Sequence, residues 1–174
     1  MSRIPLFDPS TGTEEEKRVY NRFPSNLVAG LMRTTTGITD AYLDYGNSFP
    51  NSPLDPQIRE MVTLRVGVIS HSDYEWMQHA DKARSVGVTE DEIKAIQSGD
   101  FSSLSDAKQK AMELTDDLVA NPKAGPTFEA VVEALDEQSA AIITLLVGHY
   151  MMTARFLMTL EIPLDDNPTS WDGA

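Results

Sequence analysis

Apolar residues along this chain recur at spacings of three and four, and no stretch sustains the every-second-residue alternation of a half-buried strand. Thr13 followed by Glu14, Glu15 and Glu16 predicts a helix opening, with an N-cap and acids in the first turn; that helix ends near Phe23, before Pro24. Ser25 caps a second helix to about Thr35, burying Leu27, Val28, Leu31 and Met32. A third is predicted over 39–48, with Ala41, Tyr42 and Tyr45, before a loop built on Pro50 and Pro53. Asp55 with Pro56 opens a fourth helix, Ser72 a fifth that stops at Gly87, and the Thr89–Glu92 capping box a short sixth to about Ser98. Further helices are predicted over 105–120, 126–135 and 137–160, the first broken by Asn121-Pro122 and the last closed by Ile162-Pro163. The expectation is an all-α single domain of about eight or nine helices over 13–164, with an irregular arm over 1–12 and a tail over 165–174.

The fourth and fifth helices carry the unusual residues. The fourth is nearly all apolar yet contains Glu60 and Arg65, which lie five positions apart and so need not pair on one helix. The fifth puts Ser72, Glu75, Trp76, His79 and Ala83 on one stripe, while Asp73, Asp81 and Arg84 lie on the opposite side. Trp76, Ala83 and Val86 mark that stripe as the inward face, and a carboxylate and an imidazole there are costly unless paired. Two readings of the stripe stand together. In one, Ser72 and Glu75 form a capping box, and Glu75 with His79 is a local pair worth tenths of a kcal/mol. In the other, Glu75 orients the His79 ring for proton transfer, and the free N–H groups at the helix start favour a substrate carboxylate or enolate. Glu60 reads equally as an inter-helix salt bridge or as a site carboxylate, and Arg65 as structural. His71 is a polar residue of the helix junction that could reach the site, and His149 a core histidine satisfied by a hydrogen bond. Tyr74 is expected to project outward.

Composition narrows the function. A chain of 174 residues with 41% hydrophobic and 24% charged content is an ordinary globular protein with room for a sizeable core. A net charge of −13 argues against nucleic acid and against anionic membrane surfaces, though not against a small anionic substrate. The chain has no cysteine, which excludes disulfides, thiolate metal sites and thiol catalysis. The start MSRIPLFDP is no signal peptide, and the uncharged run over 138–154 is short for a membrane span, so a buried helix and a cytoplasmic protein are expected.

The segment REMVTLRVGVISHSDYEWMQHADKARSVGVTEDEI resembles the carboxymuconolactone decarboxylase / alkylhydroperoxidase D-like (AhpD-like) family. Peroxidase members of that family carry Glu, eleven residues, Cys, two residues, Cys, three residues, His. Here the spacing is kept from Glu60 to His79, but Ser72 and Glu75 stand at the cysteine positions. Serine and glutamate cannot attack a hydroperoxide as a thiolate or resolve it as a disulfide, so peroxidase activity is not expected. The resemblance implies an AhpD-like helical bundle, a homo-oligomer (trimer or hexamer), and a cofactor-independent acid–base enzyme acting on a small carboxylated lactone or related organic acid. His79 would be the proton-transfer group, Glu75 its partner and Glu60 a second carboxylate. Ser72, His71, Arg65 and Trp76 are the candidate substrate-binding residues, with no metal and no cofactor required. A metal site in which Glu60, His71 or His149 completes a set with Glu75 and His79 is the weaker alternative. A non-catalytic helical oligomer or binding module is the other.

Overall fold

In a computed structural model, residues 2–166 are described, and among them the chain is entirely helical and loop. The first helix, α1 (Glu14–Tyr20), opens on a complete capping box between Thr13 and Glu16. Ser25 caps α2 (Asn26–Leu31), which buries Leu27, Val28 and Leu31 as the apolar spacing requires. α3 (Thr36–Ser48) starts three residues earlier than the spacing predicts, because Thr35 accepts from the Ile38 N–H and so serves as its N-cap. A short 3-10 turn (Phe49–Asn51) leads to α4 (Pro56–Ile69), capped by Asp55 with Pro56 in its first turn. Then follow α5 (Asp73–Ser85), α6 (Glu90–Ser98), α7 (Asp106–Ala120), α8 (Pro126–Ala134) and α9 (Glu137–Thr159). The Thr89–Glu92 capping box of α6 forms as read from the sequence, and Gly99 ends that helix in the left-handed region.

The fold is arranged around α4, which packs against α5, α6, α7 and α9. It is buried on nearly every side from Ile58 to Leu64 and again at Val66 and Gly67, so its polar residues Arg59, Glu60 and Thr63 lie inside the protein. Among the described residues α9 alone is long and apolar enough to cross a membrane; one face of it packs into the core, while Leu145, Met152 and Met158 are exposed on the other. Ile143, Leu146, Val147, Ala154 and Leu157 bury its inner face against neighbouring helices.

The tight α4–α5 junction follows from backbone chemistry. The His71 N–H donates to the Val68 carbonyl at 3.1 Å and the Ser72 N–H to the Gly67 carbonyl at 2.9 Å, the paired bonds of a Schellman ending. His71 occupies the left-handed position (φ 54°) where glycine is usual. The end of α9 repeats the device, with Glu161 at φ 51° and the Ile162 N–H bonded back to the Leu157 carbonyl. Neither terminal segment hangs free within the described residues. Phe7 packs in a cluster with Val19, Phe23 and Val28. Of the expected tail, 167–174 lie outside the described residues, while Asp165 is tied to the body by bonds from the Asn26 N–H, Tyr74 and Gln78.

Candidate active site

A small, partly open cavity lies among α3, α4, α5 and α9, and it is lined by most of the buried ionisable groups of the described residues. α5 contributes Glu75, Gln78, His79 and Lys82, the i, i+3, i+4, i+7 stripe of one helical face. α4 contributes Arg59 and Glu60, α9 contributes His149, Tyr150 and Thr153, and Tyr42 closes the wall from α3. The free space is about 30 Å³, enough for one or two waters on the order of one probe volume each.

Glu60 is the carboxylate that orients His79. Its Oε2 lies 2.8 Å from His79 Nδ1, and both side chains are almost wholly buried. Glu60 Oε1 accepts from Arg59 Nε at 3.1 Å and faces Lys82 Nζ at 3.9 Å. Burial pushes the Glu60 carboxyl up, but the bond from His79 and the charges of His79, Lys82 and Arg59 outweigh it and hold the group below its ordinary range. An ionised carboxylate can only accept, so Nδ1 carries the hydrogen, while Nε2 lies on the Glu75 side of the ring.

Glu75 takes a different part from the one expected of it. It lies 3.9 Å from His79 Nε2, too far for a hydrogen bond, and its Oε1 has no partner among the described residues. Burial pushes its carboxyl up to about 8, so at neutral pH it is a neutral acid. The capping box proposed for this helix start does not form: Ser72 Oγ is buried without a partner, and Glu75 turns inward rather than back to the cap. The inward turn is possible because α4 presents Gly67 here, whose missing Cβ would stand 3.1 Å from the Cβ of Glu75.

His149 was expected to be a satisfied core histidine and is not one. It is 5% exposed, lines the cavity, and its Nδ1 has no partner among the described residues. Burial, followed by the charge of His79, pulls it down to about 4, so it stays a neutral imidazole. Tyr150, which sequence reasoning missed, sits edge-on between the two histidine rings, 5.1 Å from each, and burial raises its phenol. Its spacing of one from His149 carried the only signal, and in an apolar helix that signal reads as core. Tyr42 also lines the cavity; since the Thr153 hydroxyl is committed to the His149 carbonyl at 2.9 Å, the Tyr42 hydroxyl donates to Thr153 at 2.7 Å. Tyr74 turns inward, contrary to expectation, because its hydroxyl is held by Asp165 at 2.6 Å.

The candidate substrate-binding residues do not assemble here. Arg65 grips Asp116 of α7 through two bonds of 2.6 and 2.8 Å, donates to the Ile96 carbonyl and stacks over Phe101, which leaves it no part in the cavity. His71, Ser72 and Trp76 line a separate, open recess on the other side of α5, where the junction geometry puts them. The site therefore keeps Glu60, Glu75 and His79 and adds His149, Tyr150, Tyr42 and Arg59. Among the described residues no group of three or more His, Asp or Glu side chains is arranged to hold a metal ion.

Comparisons with known proteins agree with this architecture. A crystal structure of an uncharacterised peroxidase-related protein from Ralstonia eutropha JMP134, described as an alkylhydroperoxidase AhpD core, superposes with a TM-score of 0.79 at 14% identity, covering 95% of this chain and 93% of that one. A protein of unknown function from Agrobacterium tumefaciens, associated by its description with the antioxidant defence protein AhpD, gives 0.67 at 16% identity, covering 73% and 90%. At such identities the likeness is one of fold. No curated protein matches the chain. The profile of the Carboxymuconolactone decarboxylase family matches residues 37–117, the stretch from α3 to α7 that holds Glu60, Glu75 and His79. The chain thus matches the carboxymuconolactone decarboxylase family over residues 37–117 and has an AhpD-like helical fold, without a single cysteine.

Proposed function

We propose that the protein is a cofactor-independent acid–base enzyme acting on a small carboxylated lactone or related organic acid, with His79 as the proton-transfer group. The observation that carries this reading is the fixed imidazole: Nδ1 held by Glu60 at 2.8 Å, Nε2 facing the neutral Glu75 at 3.9 Å, inside a cavity. Decarboxylation breaks the bond from carbon to carboxylate, releases carbon dioxide and leaves the electron pair on the substrate as an enolate. A protonated Nε2 delivers the proton that forms the new C–H bond, Glu75 restores the proton to Nε2, and solvent restores it to Glu75. Positioned proton transfer of this kind contributes roughly 10²–10⁴-fold to a rate. Thiol peroxidase chemistry has no nucleophile here.

The direct test is conversion of carboxylated lactones by the purified protein. His79→Ala is expected to lose about two to four orders of magnitude in kcat, and wild-type turnover in that variant would sink the proposal. The cavity's size favours a second reading, a non-catalytic helical module, since about 30 Å³ admits a lactone only if side chains move aside. Absence of turnover across a lactone and organic-acid panel, with His79 and Glu75 staying shielded from solvent exchange, would favour it. A cytoplasmic homo-oligomer, trimer or hexamer, belongs to the same proposal, and sedimentation velocity measures its order.

A further inference from the structure

Arg59 is a buried cation of the cavity wall whose hydrogen-bonding capacity is largely unspent among the described residues. Its side chain is 9% exposed, deeper than most arginines, and it lines the same cavity as His79 and Glu75. Only Nε is engaged, donating to Glu60 Oε1 at 3.1 Å; the two terminal nitrogens have no partner among the described residues. Glu60 cannot take them up in full, because its other oxygen is committed to His79 Nδ1. A guanidinium held this deep normally satisfies its donors, and its planar fork matches a carboxylate through two parallel bonds. Arg65 makes the contrast in this same protein: its donors are used on Asp116 and the Ile96 carbonyl.

We propose that the terminal nitrogens of Arg59 are the carboxylate seat of the site, so that the ligand is a small organic anion held by Arg59 with its reacting carbon toward His79. Lys82, 3.9 Å from Glu60, adds positive charge on the same side. The net charge of −13 would otherwise repel such a ligand, and Arg59 supplies a local field of the opposite sign. This inference rests on the acid–base reading for its purpose but not for its test.

The test is a titration of the intact protein with acetate, and separately with acetamide, at constant ionic strength. It is followed through the imidazole resonances of the three histidines. Acetate is expected to bind saturably and shift His79 and His149, while exposed His71 stays put; acetamide, equal in shape and uncharged, is expected to bind at least about tenfold more weakly, as the loss of one charge-assisted pair implies. Arg59→Gln should weaken acetate by about ten- to a hundredfold, and Arg59→Lys by less, since it keeps the charge and loses the fork. Equal binding of acetate and acetamide by the wild-type protein overturns the proposal whether or not a variant folds, and so does an acetate titration unchanged in Arg59→Gln. The two proposals fail separately. A protein that binds acetate through Arg59 yet turns over nothing keeps the seat and loses the acid–base reading. One that turns over an acid with a KM indifferent to Arg59→Gln keeps the chemistry and loses the seat.

Discussion

At the scale of the residue, the site holds two carboxyl groups in opposite protonation states within reach of one imidazole. The difference is environmental. Glu60 has His79, Arg59 and Lys82 around it and stays ionised, whereas Glu75 has burial and no cation and keeps its proton up to about 8. The consequence for stability has a definite sign. In the unfolded chain Glu75 loses its proton near 4.5, while in the folded protein it holds it to about 8. Rising pH across that window therefore favours the unfolded chain, and the folded state is relatively best off at the acid end. Glu75→Gln removes this penalty with little change of shape. Its melting temperature relative to wild type is expected to climb between pH 5 and pH 8.5, by roughly 2–4 °C for each kcal/mol recovered. A difference that stays flat over that range would show that Glu75 is not a buried neutral acid. His149, pulled down to about 4, works the other way: its contribution is present above about 6.5 and fades as the pH falls through its folded value.

At the scale of the element, the contact between α4 and α5 decides where Glu75 points. Gly67 lets the helices approach so closely that a Cβ there would stand 3.1 Å from Glu75 Cβ, with the Ser72 carbonyl oxygen and Trp76 nitrogen at 3.8 Å. Gly67→Ala gains about 1 kcal/mol of helix propensity but overpacks the contact, at a cost of about 1–3 kcal/mol. A net loss of stability is expected, together with displaced His79 imidazole resonances; a variant more stable than wild type would mean that the helices have room to spare. The same contact explains why the Ser72–Glu75 pattern, so close to a capping box, does not cap: the carboxylate is spent inward. By contrast, the Thr13–Glu16 and Thr89–Glu92 boxes form because each glutamate keeps an oxygen for its cap: Glu16 gives Oε2 to Thr13, and Glu92 gives Oε2 to Thr89 while its Oε1 takes Lys108.

At the scale of the whole molecule, distant segments meet to brace the cavity wall. Asp165 Oδ2 accepts from the Tyr74 hydroxyl at 2.6 Å and from Gln78 Nε2 at 2.8 Å, and Oδ1 from the Asn26 N–H at 2.7 Å. Tyr74 and Gln78 both line the cavity, so the chain beyond α9 holds them from behind. Asp165→Ala is expected to cost about 1.5–3 kcal/mol, the range for hydrogen bonds to a charged group, and to loosen both side chains. An unchanged thermal transition would dismiss the brace. Arg65 performs a similar duty elsewhere, tying α4 to α6 and α7 through Ile96 and Asp116.

Helix order, the capped starts of α1, α2, α4 and α6, and the inward placing of Glu75 and His79 on α5 were legible along the chain, because each depends on spacings of a few residues and on local backbone chemistry. The Glu60–His79 frame, whose ends lie nineteen positions apart, was legible only through the family resemblance. Which carboxylate meets His79 was not legible. Glu75 is its neighbour by helical register, yet Glu60 makes the bond, since that choice depends on how closely two helices pack and not on position along either. The inclusion of Arg59, Tyr42, His149 and Tyr150, and the exclusion of Arg65, His71, Ser72 and Trp76, followed the same rule. A side chain's residue type limits the chemistry it can do, but its partners, and with them its charge, come from segments that only the folded chain brings together.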